Sequence, residues 1–136
     1  MSEVNVNNEF HVPVRVYIED TDAGGIVYYV NYLKFMERAC TEFFRTKGFN
    51  KPAVLEEGML VVVSTSIAYK KPEKLDHLLQ VNAKAIKIAR SHIVFEQKIY
   101  CDGLCLTEAE IKVACVQIGT MRLCAFPARI AELINA

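Results

Sequence analysis

Asp20-Thr21-Asp22-Ala23-Gly24-Gly25-Ile26-Val27-Tyr28-Tyr29-Val30-Asn31-Tyr32 joins two segments whose apolar residues repeat with different periods. Upstream, Phe10, Val12, Val14, Val16 and Ile18 alternate with His11, Pro13, Arg15, Tyr17 and Glu19, the period of a strand with one buried face. Pro13 has no N–H to give a ladder, which places that strand at a sheet edge or makes it a strand start. Downstream, Tyr32, Phe35, Met36, Ala39, Cys40 and Phe43 follow helical spacing, and Leu33 and Phe44 widen the stripe to about half the circumference. Lys34, Glu37, Arg38, Thr41 and Arg45 fall on the other side. The spacing predicts Asn31 as the N-cap of this helix and Gly48, after Arg45, Thr46 and Lys47, as the residue that ends it. So wide an apolar face suits a helix that something wraps.

The rest of the chain reads mainly as strands. After a polar link from Asn50 to Gly58, Leu60 to Tyr69 is rich in valine and stops at Lys70-Lys71-Pro72. Leu79, Val81, Ala83 and Ala85 alternate, then Ile86 and Ile88 take the opposite parity, a slip that predicts a bulge near Ala85. Ile93, Phe95 and Ile99 alternate with Glu96 and Lys98, Cys101-Asp102-Gly103 is a hairpin turn, and Ala109, Ile111, Val113 and Cys115 alternate with Glu108, Glu110 and Lys112. A short helix is expected from Pro127 to near Ile134, since proline is tolerated in a first turn. The order is strand, helix, four strands and a short helix. One long helix then lies in the concave face of a five-stranded, mostly antiparallel sheet, in a single domain spanning 1–136.

Composition narrows the function. The chain has 136 residues, 52% of them hydrophobic, enough for a core without metals or disulfides. Its formal net charge is zero, so nothing argues for nucleic acid as the main partner. The longest apolar runs, such as Met59 to Val63, are too short to span a bilayer, and no signal peptide is visible at Met1-Ser2-Glu3-Val4-Asn5. Five cysteines and no export signal predict reduced thiols in the cytoplasm. No Cys-x-x-Cys pair occurs, and Cys101 and Cys105 have no histidine nearby, so a metal site is not expected.

Asp22 is the sharpest chemical signal. A carboxylate beside a helix start can attack a carbonyl or activate water, while unpaired helix N–H groups hold the developing oxyanion. Gly24 and Gly25 allow a sharp turn and a close approach of backbone to ligand. The same residues also make a plain strand-to-helix turn, for which aspartate and glycine are the usual choice. Glu19 and Asp20 read as solvated turn residues; Glu37, just outside the apolar stripe, could reach a cleft but reads better as a surface carboxylate. His11, His77 and His92 are scattered and form no nucleophile–base pattern. Lys87, Arg90 and Ser91, at a strand end, could grip a phosphate or simply face water.

Val14 to Tyr28, followed by Asn31-Tyr32 and Met36-Glu37-Arg38-Ala39, resembles the hotdog-fold acyl-CoA thioesterases, of the YbgC type related to 4-hydroxybenzoyl-CoA thioesterase. The resemblance extends more loosely to Pro127. It implies an α+β hotdog fold, an antiparallel sheet wrapped around a central helix, paired edge to edge into homodimers or dimers of dimers with active sites at the subunit interface. It implies hydrolysis of an acyl-CoA thioester to a free acid and CoA, with no metal or separate cofactor. Asp22 matches the catalytic aspartate, as nucleophile or general base, and the Tyr29 backbone N–H matches the group that polarises the carbonyl. Gly25, Tyr28, Asn31 and Tyr32 fall in the substrate-binding part of the motif, while Arg90 and Ser91 match a region that contacts the CoA nucleotide. YbgC-type members usually carry histidine where this chain has Tyr29, whereas the 4-hydroxybenzoyl-CoA branch carries tyrosine.

Two other readings stand beside this one. A hotdog dehydratase needs a histidine paired with an acid at the helix entry, where Tyr29 stands instead. A non-catalytic module of the Tol–Pal envelope system would bind acyl-CoA or a protein partner without turnover, and would have no need of Asp22. Tyr28, Tyr32, Phe35 and Tyr69 are candidate pocket-lining side chains under any of the three.

Overall fold

The computed structural model describes residues 10–49, 54–55, 58–127 and 130–135. The chain runs β1 (His11–Arg15), a 3₁₀ turn (Ile18–Asp20), α1 (Tyr29–Thr46), β2 (Val54–Leu55), β3 (Gly58–Tyr69), β4 (Leu78–Asn82), β5 (Lys84–Ile88), β6 (His92–Cys101), β7 (Leu104–Gln117) and α2 (Ile130–Asn135). The strands form one antiparallel sheet in the order β1-β4-β6-β7-β3-β2, with β5 also pairing β6. Pro13 sits in β1 at the edge of the sheet, where its missing N–H costs no ladder bond.

Among the described residues the sheet has seven strand segments, where five are expected. Ala83 interrupts one predicted strand: its N–H turns to the Phe10 carbonyl (3.2 Å), so the chain bends and divides into β4 and β5. Val54–Leu55, inside the stretch read as a polar link, adds a short strand against Gly58 and Met59. The expected bulge appears as a register shift between Ala85 and Lys87, where the side-chain parity changes. Asp102 (φ 52°) and Gly103 (φ 80°) form the two-residue turn between β6 and β7, with the positive φ values that fit the twist of a tight hairpin. Ile18 leaves the predicted strand, because the chain closes a 3₁₀ turn there and exposes that side chain.

α1 packs its apolar face on the sheet, burying Tyr32, Phe35, Met36, Ala39, Cys40, Phe43 and Phe44. Phe43 and Phe44 meet Phe95 of β6 edge-on at 5.6 Å, a geometry aromatic rings favour. Leu33 is the exception to the predicted stripe and remains partly exposed. The helix ends as expected: Gly48 (φ 100°) bonds back to Arg45, Phe49 bonds to Phe44, and the Phe44 and Phe49 rings meet edge to face at 6.0 Å. It begins earlier than expected. The N-cap is Tyr28, and Asn31 lies inside the first turn with its amide spent elsewhere. α2 begins at Ile130, beyond Pro127, whose carbonyl accepts the Ile130 N–H. No helix among the described residues is long and apolar enough to cross a membrane. The N-terminal stretch read for a signal peptide lies outside the described residues.

Candidate active site

Asp22 stands at the foot of a tight reversal. Its N–H donates to the Ile26 carbonyl (2.9 Å), its carbonyl accepts the Gly25 N–H (3.0 Å), and Thr21 pairs with Val27. Gly25 takes φ 81°, which a Cβ would disfavour. The Gly24 N–H donates to Asp22 Oδ1 (2.8 Å), so one carboxylate oxygen is oriented by the turn and Oδ2 has no hydrogen-bond partner among the described residues. Gly24 is also there for room, since a Cβ on it would stand 3.2 Å from Oδ1. Asp22 is exposed in the single chain.

The far leg of this reversal runs straight into α1. Asp20 anchors the junction and is more than a solvated turn residue. Its carbonyl accepts both the Tyr28 N–H (2.9 Å) and the Asn31 side-chain amide (3.0 Å), and its carboxylate accepts the Tyr17 N–H (2.9 Å). No side chain caps the helix and no acid sits in its first turn. The Asn31 N–H turns back to the Tyr28 carbonyl (2.8 Å), while the N–H groups of Tyr29 and Val30 have no acceptor among the described residues. Two open amides at the positive end of a helix form a site for developing negative charge.

The other predicted site residues divide into two groups. Tyr28 and Tyr29 stand exposed beside Asp22's turn, their rings 5.0 Å apart. Tyr32 is buried, with its ring 4.9 Å from that of Tyr69, and Asn31 is buried with its amide on Asp20; both support the helix start from beneath. Tyr69 is partly exposed and its hydroxyl reaches the Tyr29 carbonyl at 3.4 Å, whereas Phe35 belongs to the core. Arg90 and Ser91 turn the chain between β5 and β6; their carbonyls hold Phe126 and Cys115 (2.9 and 2.8 Å), not any residue of the Asp22–Tyr32 segment.

Beyond Val30 a groove of about 440 Å³ runs between the outer face of α1 and β3, lined by Leu33, Glu37 and Thr41 on the helix and Leu60 and Val62 on the strand. Glu37 accepts a hydrogen bond from Thr41 (2.8 Å) at its rim. All five cysteines are free. Burial pushes the Cys40 thiol up to about 12, with the Glu37 charge adding to the effect, and Cys115 also rises to about 12 through burial and its neighbour Cys124. Both are poor nucleophiles there. The His92 imidazole is pushed down by desolvation and by Lys112 and Lys87, and it sits on β6 away from the turn. Among the described residues, no three His, Cys, Asp or Glu side chains converge as metal ligands would.

Glu73 has no signal in the sequence. Between Pro72 and Lys74, in a charged link, it reads as a solvated loop residue. In the fold it is completely buried beneath the helix start. Its carbonyl accepts the Val27 N–H (2.8 Å), its Oε1 accepts the Thr107 hydroxyl (2.9 Å), and its Oε2 has no hydrogen-bond partner among the described residues. Desolvation raises the carboxyl above its ordinary range despite Tyr32, Thr107 and His77, and the same burial beside Glu73 raises the Tyr32 phenol.

Residues 24–106 match the family model described as Thioesterase superfamily. The chain is 47% identical over 124 residues to the acyl-CoA thioesterase YbgC of Haemophilus influenzae, covering 90% of this chain and 91% of that one. It is 39% identical over 120 residues to the acyl-CoA thioester hydrolase YbgC of Escherichia coli O6:H1, covering 87% and 90%. Among solved structures, a probable thioesterase from Bartonella henselae superposes with a TM-score of 0.79 at 30% identity, over 88% of this chain and all of that one.

Proposed function

The chain belongs to the thioesterase superfamily, and from that membership we propose that it hydrolyses acyl-CoA thioesters to a carboxylic acid and coenzyme A, with Asp22 as the reacting carboxylate. The observation that carries the assignment is an oriented Asp22 on one leg of a short reversal whose other leg leads into the open amides of Tyr29 and Val30. The substrate carbonyl oxygen accepts from the Tyr29 N–H, which draws electron density from the acyl carbon. Asp22 then either takes a proton from water, so that hydroxide adds to that carbon, or adds to it directly through Oδ2. The oxyanion collects on the amides, the C–S bond breaks, and CoA departs as a thiolate, a good leaving group because thiols ionise near about 8.5. On the direct route, water then hydrolyses the anhydride formed with Asp22.

Tyr28 and the Tyr29 ring flank the entrance, Gly25 lets the backbone come close, and Asn31 and Tyr32 hold the amides in place. Arg90 and Ser91 are the candidates for the CoA nucleotide and reach it across a subunit interface. β3 supports such an interface. β2 covers only Met59 and Gly58, so the strand edge from 60 to 69 has no partner among the described residues, and Val62 and Val63 are exposed on it. An unpaired edge of this length is a surface for strand pairing, and it fits a homodimer that closes the groove beside Val30.

The test is CoA release from short, long and aromatic acyl-CoAs. The wild type turns over at least one of them, and Asp22→Asn lowers kcat by roughly 10²–10⁴ with its fold intact. Equal rates in the two proteins would remove Asp22 from the reaction. The absence of release from every thioester would remove the activity.

A further inference from the structure

We propose that Glu73 is a positioning residue for the carbonyl-polarising amides, holding the first turn of α1 in place while its buried carboxyl is neutral and weakening catalysis when it ionises. The inference rests on the hydrolase reading above and extends it to a residue outside the Asp22–Tyr32 segment.

Glu73 ties together both walls of the site. Through its backbone it holds the leg that leaves Asp22: the Val27 N–H donates to its carbonyl, and the neighbouring Lys74 bridges Ile26. Through its side chain it reaches Thr107 on β7 and faces Tyr32, one turn into α1. Tyr32 in turn stacks on Tyr69, whose hydroxyl touches the Tyr29 carbonyl. A shift of this carboxyl is therefore felt by the peptides that carry the Tyr29 and Val30 N–H groups.

The environment selects the neutral form. Glu73 is fully buried, and no cation pairs with it among the described residues. The titratable groups facing it are Tyr32 on α1, Tyr69 on β3, Cys101 on β6 and His77 on its own loop, with the Thr107 hydroxyl from β7. His77 is turned so that its Nδ1 accepts the Lys74 N–H (3.1 Å). Tyr32, Thr107 and His77 favour the charged form, but the cost of desolvating a fully buried carboxylate outweighs them. A proton on Oε2, which has no hydrogen-bond partner among the described residues, removes the charge and makes that oxygen a donor. Ionisation would instead put a negative charge under the helix start, where it opposes the oxyanion and draws the helix-start dipoles toward itself. The effect falls on the transition state and so on kcat, leaving KM nearly unchanged.

The experiment compares the wild type with Glu73→Gln, which keeps the shape and an acceptor for Thr107 but cannot ionise. Glutamate carboxyl carbons and backbone amides are followed by NMR across pH, with acyl-CoA turnover measured in parallel. The proposal expects one glutamate that titrates above the other glutamates, missing in the variant, and Tyr29 and Val30 amide resonances that move with its titration in the wild type alone. It expects wild-type kcat to fall at least roughly tenfold through that titration, a modest share of what losing an oxyanion donor costs, with KM steady. Glu73→Gln keeps the kcat that the wild type has below that titration and loses the fall above it. A Glu73 that titrates as an ordinary carboxylate, amides indifferent to it, or the same fall in Glu73→Gln would overturn the proposal. If neither protein hydrolysed any acyl-CoA, the hydrolase reading would fail, and the amide resonances would still decide whether Glu73 controls the helix start.

Discussion

Asp22 and Glu73 are two carboxylates near one helix start, and their surroundings differ. Asp22 is exposed, with one oxygen fixed by the Gly24 N–H and the other without a partner among the described residues. Glu73 is sealed from water, and the Thr107 hydroxyl donates to its Oε1. Because burial raises the Glu73 carboxyl above its unfolded value of about 4.3, the native state binds more protons than the unfolded state between those two values. Its contribution to stability is complete below about 4.3 and is lost as pH rises through the folded value. Urea unfolding of the wild type and Glu73→Gln should therefore show a gap that moves in favour of the glutamine variant as pH rises from 4 to 8. A gap independent of pH would mean that Glu73 is not desolvated.

At the scale of elements, the position of α1 depends on both of its ends. At the C-terminus, Gly48 adopts φ 100° so that two backbone bonds and the Phe44–Phe49 contact can close the helix. Gly48→Ala puts a Cβ into that conformation and should cost about 1–2 kcal/mol, read as a lower urea midpoint with an unchanged m-value. At the N-terminus no side chain caps the helix. That omission leaves open the Val30 amide, at the second helical position, which a serine or aspartate cap would have occupied at a gain in local stability. Between the ends, the buried Gln97 side chain of β6 donates to the Met36 carbonyl of α1 (2.8 Å) and the Asn82 carbonyl of β4 (3.1 Å), fixing the height of the helix on the sheet.

For the whole molecule, the open question is what closes the groove beside α1. Val30, Leu33, Val62 and Val63 expose apolar surface along the groove and the neighbouring β3 edge. A pairing of two β3 edges covers that surface and brings a second chain to the site. Val62→Lys places a charge on the edge, the usual protection against strand pairing. Sedimentation should show the wild type as a dimer or a larger species and this variant shifted toward monomer, with reduced turnover. A wild type that sediments as a monomer would exclude the interface.

Periodicity made most of the fold legible. The alternation in β1, β6 and β7, the valine-rich run of β3, the parity slip at Ala85, the Asp102-Gly103 turn and the stripe from Tyr32 to Phe44 all reflect local properties that the side chains record. Asp22, Gly24 and Gly25 were legible because a sharp reversal before a helix restricts which residues can stand there. The helix start was misplaced by three residues: the Asn31 amide serves the carbonyl of Asp20, eleven residues back, where a local capping rule does not look. The break at Ala83 and the pairing of Val54–Leu55 depend on partners elsewhere in the sheet. Glu73 is the clearest case. Its neighbours in sequence are Pro72 and Lys74, but its environment consists of Tyr32, Tyr69 and Thr107, and long-range packing sets the dielectric around a carboxylate. Sequence alone determined the succession of elements and the chemistry available at the turn; the folded chain decided which polar groups meet water and which do not, because solvent exclusion depends on every element packed around a group.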